Sequence, residues 1–277
     1  MKLATLAFGD ATVAVRASRF GYVPIPGYAD VGELLQNPDW ARIAGDSPDE
    51  AAFASLDAPP NLSFPSPGKI VCVGLNYRHH ILEMGRDLPE HPTLFAKFAD
   101  TLTGPDEAIP LPSEDPRTDW EGELAVVVGR TAYRITPEDA DEHIAGYTIA
   151  NDISMRGWQN RTLEWLQGKI WARSTPIGPV MVTREDFDAS TARIETRVNG
   201  EVVQQGAIAD MVFSPQDLVA YISTMLPLRP GDLILTGTPG GIGHARQPAT
   251  YLLPGDDVTV SIDGIGTLAS TMVNASV

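Results

Sequence analysis

Three acids on alternate positions, Asp119, Glu121 and Glu123, lead into the apolar stretch Leu124-Ala125-Val126-Val127-Val128. A β-branched run of this length reads as a buried strand, and residues two apart on a strand share a face. At the strand rise such neighbours stand about 6–7 Å apart. Carboxylates that close can lean onto one cation; left unpaired beside a core strand they repel each other and lose hydration. A solvated sheet edge is the bland alternative, but acids abutting the apolar run favour a metal site. All-oxygen ligation suits a hard cation, Mg²⁺ or Mn²⁺, better than zinc. Two carboxylates hold a divalent ion weakly, so a third is needed. Asp152 is the candidate, because it ends the strand-like stretch 144–150 and strand ends are where sites are assembled; a helix cap is the competing reading of Asp152.

Three further constellations carry possible chemistry. In Asn76-Tyr77-Arg78-His79-His80-Ile81-Leu82-Glu83, a helix after Tyr77 would place His80 and Glu83 at i, i+3. A carboxylate beside an imidazole fixes its tautomer and raises its basicity, which makes a general base for activating water; a plain surface pair is the alternative. His79 is expected to face solvent. Lys169, among Gly168, Ile170 and Trp171, is either a partly buried cation awaiting a carboxylate or oxyanion, or a snorkelling surface lysine. The loop Thr236-Gly237-Thr238-Pro239-Gly240-Gly241 fits neither the phosphate-loop nor the dinucleotide fingerprint. Its backbone N–H groups or the Thr238 hydroxyl could serve a carboxylate instead.

The elements that must position these groups are mostly strands. Asn199-Gly200 and Asp263-Gly264 each separate two strand-like runs as hairpin turns. Thr136-Pro137-Glu138-Asp139 and Ser214-Pro215-Gln216-Asp217 open helices with a cap, proline at the first helical position and an acid in the first turn. In the leading segment, 12–16 reads as strand, and 31–36 and 51–56 read as helix. A proline-rich linker over 58–68 divides a small α/β N-terminal domain, residues 1–65, from a larger one, residues 66–277. The fold class is α+β, with mainly mixed or antiparallel sheet.

With 277 residues, 43% hydrophobic and 20% charged, the chain describes a globular protein. A net charge of −16 argues against nucleic acid or an anionic membrane surface as partner, although local bases could still collect a small anion. Cys72 is the single cysteine and sits in a strand-like apolar run, so it is expected to be a core residue. The apolar stretch 3–8 is too short for a signal peptide and no stretch reaches membrane-spanning length, so a cytoplasmic location is expected.

Taken in order, Asn76-Tyr77-x-x-His80-x-x-Glu83, Leu94-Phe95-Ala96-Lys97, Leu102-Thr103-Gly104-Pro105, Asp119-x-Glu121-x-Glu123, Asn151-Asp152-Ile153-Ser154-x-Arg156, Gly168-Lys169 with Pro176-x-Gly178-Pro179, and Thr236-Gly237-Thr238-Pro239 resemble the fumarylacetoacetate hydrolase family. The likeness spans residues 69–273. It implies a mixed β-sandwich roll, usually a homodimer, with Mg²⁺ or Mn²⁺ on Glu121, Glu123 and Asp152. It also implies a catalytic His80–Glu83 pair within a lid, an active-site Lys169, and substrate contacts at Tyr77, Lys97, Arg156, Gln159 and Thr238. The expected reaction is metal-dependent hydrolysis of the C–C bond of an acylpyruvate such as fumarylpyruvate. Isomerisation of a 2-hydroxydienedioate and decarboxylation of oxaloacetate are alternatives on the same platform. The chain departs from the family's pattern at Ala172, where members often carry an acid, and Arg173 follows.

Overall fold

The computed structural model describes residues 1–8, 11–52, 67–83, 85 and 87–275. Three strands come first, β1 (Lys2–Phe8), β2 (Ala11–Ser18) and β3 (Gly21–Pro24), followed by helices α1 (Val31–Leu35) and α2 (Trp40–Asp46). Most of the expected linker, and most of the helix expected over 51–56, lie outside the described residues. Then come β4 (Ile70–Gly74), α3 (Arg78–Glu83), β5 (Thr93–Lys97), β6 (Leu102–Thr103), β7 (Ala108–Leu111), β8 (Thr118–Asp119) and β9 (Gly122–Val128). The central stretch holds α4 (Pro137–Ala140), β10 (Ile144–Asn151), β11 (Ser154–Met155), α5 (Arg156–Gln159), α6 (Leu166–Lys169) and β12 (Thr175–Thr183). The chain closes with β13 (Arg193–Val198), β14 (Glu201–Ala207), α7 (Pro215–Met225), β15 (Leu233–Leu235), β16 (Asp257–Ile262) and β17 (Gly266–Asn274).

The larger sheet is mixed and runs β3-β2-β1-β12-β10-β9-β15-β4-β5, with β6 alongside β12. The leading strands therefore extend the same sheet, through Lys2 and Leu3 of β1 opposite Val182 and Met181 of β12. A second sheet, β14-β13-β16-β17-β7, lies against the first and joins it in one apolar core from Leu124 and Val126 to Val260 and Leu268. Every residue of β9 and β10 is buried, as the unbroken apolar run of β9 requires of a central strand.

Local signals explain several turns and ends. Asn199 and Gly200 adopt φ of 51° and 81°, the left-handed pair that matches a two-residue hairpin to strand twist, and β13 pairs with β14 across them. Ser214 accepts from the Asp217 backbone while the Asp217 side chain returns to the Ser214 N–H, a capping box that starts α7. Gly122 begins β9 where the two sheets come together. A Cβ there would run into the Thr196 hydroxyl and the Val260 side chain, so only glycine fits.

The alternation expected from Asp119 through Glu123 is interrupted. Trp120 and Glu121 lie between β8 and β9, so Asp119 pairs with β11 while Glu123 belongs to the β9–β10 ladder. A period of two holds only along a continuous strand. The buried Trp120 ring, whose Nε1 donates to the Gly241 carbonyl at 3.2 Å, sits at this break.

Candidate active site

Glu121 precedes β9, Glu123 lies on it and Asp152 follows the end of β10, opposite it in the ladder. The Asp152 N–H bonds the Glu121 carbonyl at 2.8 Å, and the Glu121 N–H bonds the Asn151 side chain at 3.0 Å. One carboxylate oxygen from each acid lies within 4.8 Å of the others, with the residues buried. This is donor chemistry for a hard divalent cation.

Cations stand around the triad. Lys169, 1% exposed at the end of α6, places Nζ 2.7 Å from both Glu121 Oε2 and Asp152 Oδ2. Lys97 Nζ lies 2.7 Å from the other Asp152 oxygen and donates to the Lys169 carbonyl at 2.6 Å. Arg156 reaches Glu121 Oε1 at 2.6 Å through one guanidinium nitrogen, and another donates to Gln159 Oε1 at 2.9 Å. Together with Asp119, four carboxylates meet three cations, leaving one negative charge over.

That surplus falls on Glu123. Its carboxylate is 1% exposed and takes the Gly237 N–H at 2.8 Å, but among the described residues no lysine or arginine sits at ion-pair distance. Burial, then Asp152 and Glu121, push its pKa well above the ordinary glutamate range. Asp152 goes the other way: burial would raise it, but Lys169 and Lys97 hold it below the usual carboxylate value. Lys169 outweighs its own burial through Asp152 and Glu121 and is held protonated, above the ordinary lysine range. A divalent ion would supply the cation that Glu123 lacks, so the residues present fit the group.

A cavity of about 260 Å³ opens onto these groups, with Glu121, Glu123, Arg156, Gln159, Lys169 and His80 in its wall. Thr238 lines it too, but its hydroxyl already donates to the Gly122 carbonyl at 2.9 Å and accepts from Gln204 at 2.7 Å. Lys97 does not reach the cavity wall; it braces Asp152 and Lys169 from behind. Tyr77, fully buried, lines a second cavity of about 720 Å³ that shares His80 with the first as a wall residue. The helix expected after Tyr77 is present, but the Glu83 side chain is outside the described residues. His79 is exposed, as expected, and pairs with Asp210 at 2.7 Å. Arg173 pairs with Glu107 at 2.7 Å and does not line the cavity.

Two contributors escaped the sequence reading. Gln204 accepts the Gly122 N–H at 3.0 Å and donates to Thr238 and Pro239, fixing the glycine between the two glutamates to the 236–241 loop. His244 lines the cavity and bonds Tyr251 at 2.9 Å. A glutamine on a hairpin strand and a histidine in a loop carry no spacing signal.

Residues 69–273 match the family model described as fumarylacetoacetate (FAA) hydrolase C-terminal. The human protein named oxaloacetate tautomerase FAHD2A, mitochondrial, is 43% identical over 210 residues, 75% of this chain and 67% of its own length. A putative HpcE protein from Mycobacterium smegmatis superposes at a TM-score of 0.89 with 34% identity, covering 100% of both chains. Fumarylpyruvate hydrolase from Pseudomonas aeruginosa, solved with Mn²⁺ and pyruvate, gives 0.67 and 33% identity over 75% of this chain and 90% of its own. With the strand order, the buried acid triad and the lysine on it in place, the chain belongs to the fumarylacetoacetate hydrolase family.

Proposed function

We propose that the protein is a divalent-cation-dependent tautomerase of small 2-oxo diacids of the oxaloacetate type. The observation that carries this is the Lys169 ammonium set on Glu121 and Asp152 at the wall of the acid-lined cavity. A cation held by Glu121, Glu123 and Asp152 would supply Lewis-acid polarisation of the 2-oxo group and a template for the adjoining carboxylate. Lys169 is kept protonated, so it is no base; its charge stands where negative charge grows on the enol oxygen. Arg156, steadied by Gln159, offers a guanidinium to a substrate carboxylate. His80, 7% exposed and on the cavity wall, is the imidazole placed to move a proton there. In going from enol to keto it would give a proton to C3 while the enol O–H proton passes to solvent, from which His80 is reprotonated. The reverse direction retraces these transfers. Support also comes from the human relative, which carries the name of this activity.

Hydrolysis of an acylpyruvate is the second reading. The larger cavity beyond His80 leaves room for an acyl chain, and the Pseudomonas aeruginosa relative is named for such a reaction. We place enolisation first because it needs only groups that the cavity already brings together, whereas hydrolysis also needs a positioned water. The test follows loss of enol-oxaloacetate absorbance and, separately, acylpyruvate cleavage by product mass, both with Mg²⁺ or Mn²⁺. Faster conversion of enol-oxaloacetate is expected, and His80→Ala should slow it by about 10²–10⁴-fold, the usual range for a general acid–base. Acylpyruvate cleavage outrunning enol conversion would put the second reading first.

A further inference from the structure

Asp119 has no solvent exposure and makes no part of the acid triad. Its carboxylate accepts N–H bonds from Trp120 at 2.9 Å, Gly243 at 2.7 Å and His244 at 3.0 Å. It also faces two nitrogens of Arg156, each at 2.8 Å. One of these, Nη2, is the same nitrogen that stands 2.6 Å from Glu121. A single guanidinium nitrogen is thus divided between a carboxylate of the cation cluster and one outside it. The neighbours of Gly243, Ile242 and His244, line the cavity, so the same carboxylate also holds that wall.

We infer that Asp119 is a positioning residue that restrains Arg156, so that Glu121 remains available to a divalent cation. The inference rests on the reading of the acids as a cation site. A buried guanidinium must have a carboxylate, and it prefers two parallel bonds to one. With Asp119 neutralised, Glu121 is the remaining carboxylate in contact with Arg156. The fork then closes on Glu121 and competes with the ion for its oxygens.

The test measures Mn²⁺ affinity by electron paramagnetic resonance of free Mn²⁺ on the full chain, in wild type, Asp119→Asn, Arg156→Gln and the double variant. Asparagine keeps the shape of the side chain and one acceptor for the loop. Asp119→Asn should bind Mn²⁺ about 10–100-fold more weakly, the usual effect of losing a partner behind a ligand. Arg156→Gln should bind at least as tightly as wild type, and the double variant should regain most of the affinity lost by Asp119→Asn. A purely structural Asp119 would make the double variant the worst of the four. Wild-type affinity in Asp119→Asn, or a double variant no better than it, overturns the inference. If circular dichroism shows Asp119→Asn unfolded, Arg156→Gln decides: weaker binding than wild type overturns the inference and equal or tighter binding sustains it. No binding by wild type would instead overturn the cation reading beneath it.

Discussion

Glu123 is the side chain on which the electrostatics of the site turn. The other three acids of the cluster each have a lysine or arginine; Glu123 has one backbone N–H. If the triad holds a divalent ion, Glu121→Gln or Asp152→Asn should abolish Mn²⁺ binding and turnover while circular dichroism shows an intact fold. Full activity in metal-stripped wild type would sink that assignment. A pH effect follows as well. Because the folded protein holds the Glu123 proton more tightly than the unfolded chain, its contribution favours folding below the ordinary glutamate value. That contribution is lost as pH rises from there through the raised value. The metal-free melting temperature of wild type should therefore fall relative to that of Glu123→Gln as pH rises. Saturating Mg²⁺ should shrink the difference, because the ion takes the place of the proton.

At the scale of elements, the acids stay together because β9 lies against the second sheet at Gly122. Gly122→Ala would press a methyl group onto Thr196 and Val260, and overpacking of this kind costs about 1–3 kcal/mol. Urea denaturation should show that loss, and weaker Mn²⁺ binding should accompany it, since Glu121 and Glu123 flank the residue. Much at this scale could be read in advance. The apolar run of β9, the Asn-Gly and Asp-Gly turns and the capping box at Ser214 are local signals, and each produced its element. The acids at 121, 123 and 152 do come together, although the alternation that pointed to them breaks at Glu121, which precedes β9. What could not be read depended on distant partners. The break at Trp120 and the turning of Asp119 towards Arg156 arise from contacts with residues 155–156 and 241–244. Helix α2 lacks a side-chain cap bond and buries one residue, Ala44, so neither cap nor periodicity announces it.

The whole molecule carries −16, with 36 acids against 20 bases. Its field draws divalent cations and repels the dianionic substrates proposed here, so the bases at the cavity act only at short range. Raising ionic strength with a non-coordinating salt, at saturating metal, should raise kcat/KM for a diacid while weakening Mn²⁺ affinity. A salt-independent kcat/KM would show that the net charge does not steer the substrate.

Strand β15 has a further consequence, in the order of events during synthesis. These three residues, Leu233–Leu235, slot between β4 and β9, parallel to one and antiparallel to the other. The loop that follows them delivers the Gly237 N–H to Glu123, and the residues just beyond reach Asp119. A nascent chain that has emerged only as far as α7 already contains every acid of the triad, yet the seam between β4 and β9 is still open. If the triad holds a cation, loading is expected only after residues 233–244 have emerged and closed that seam.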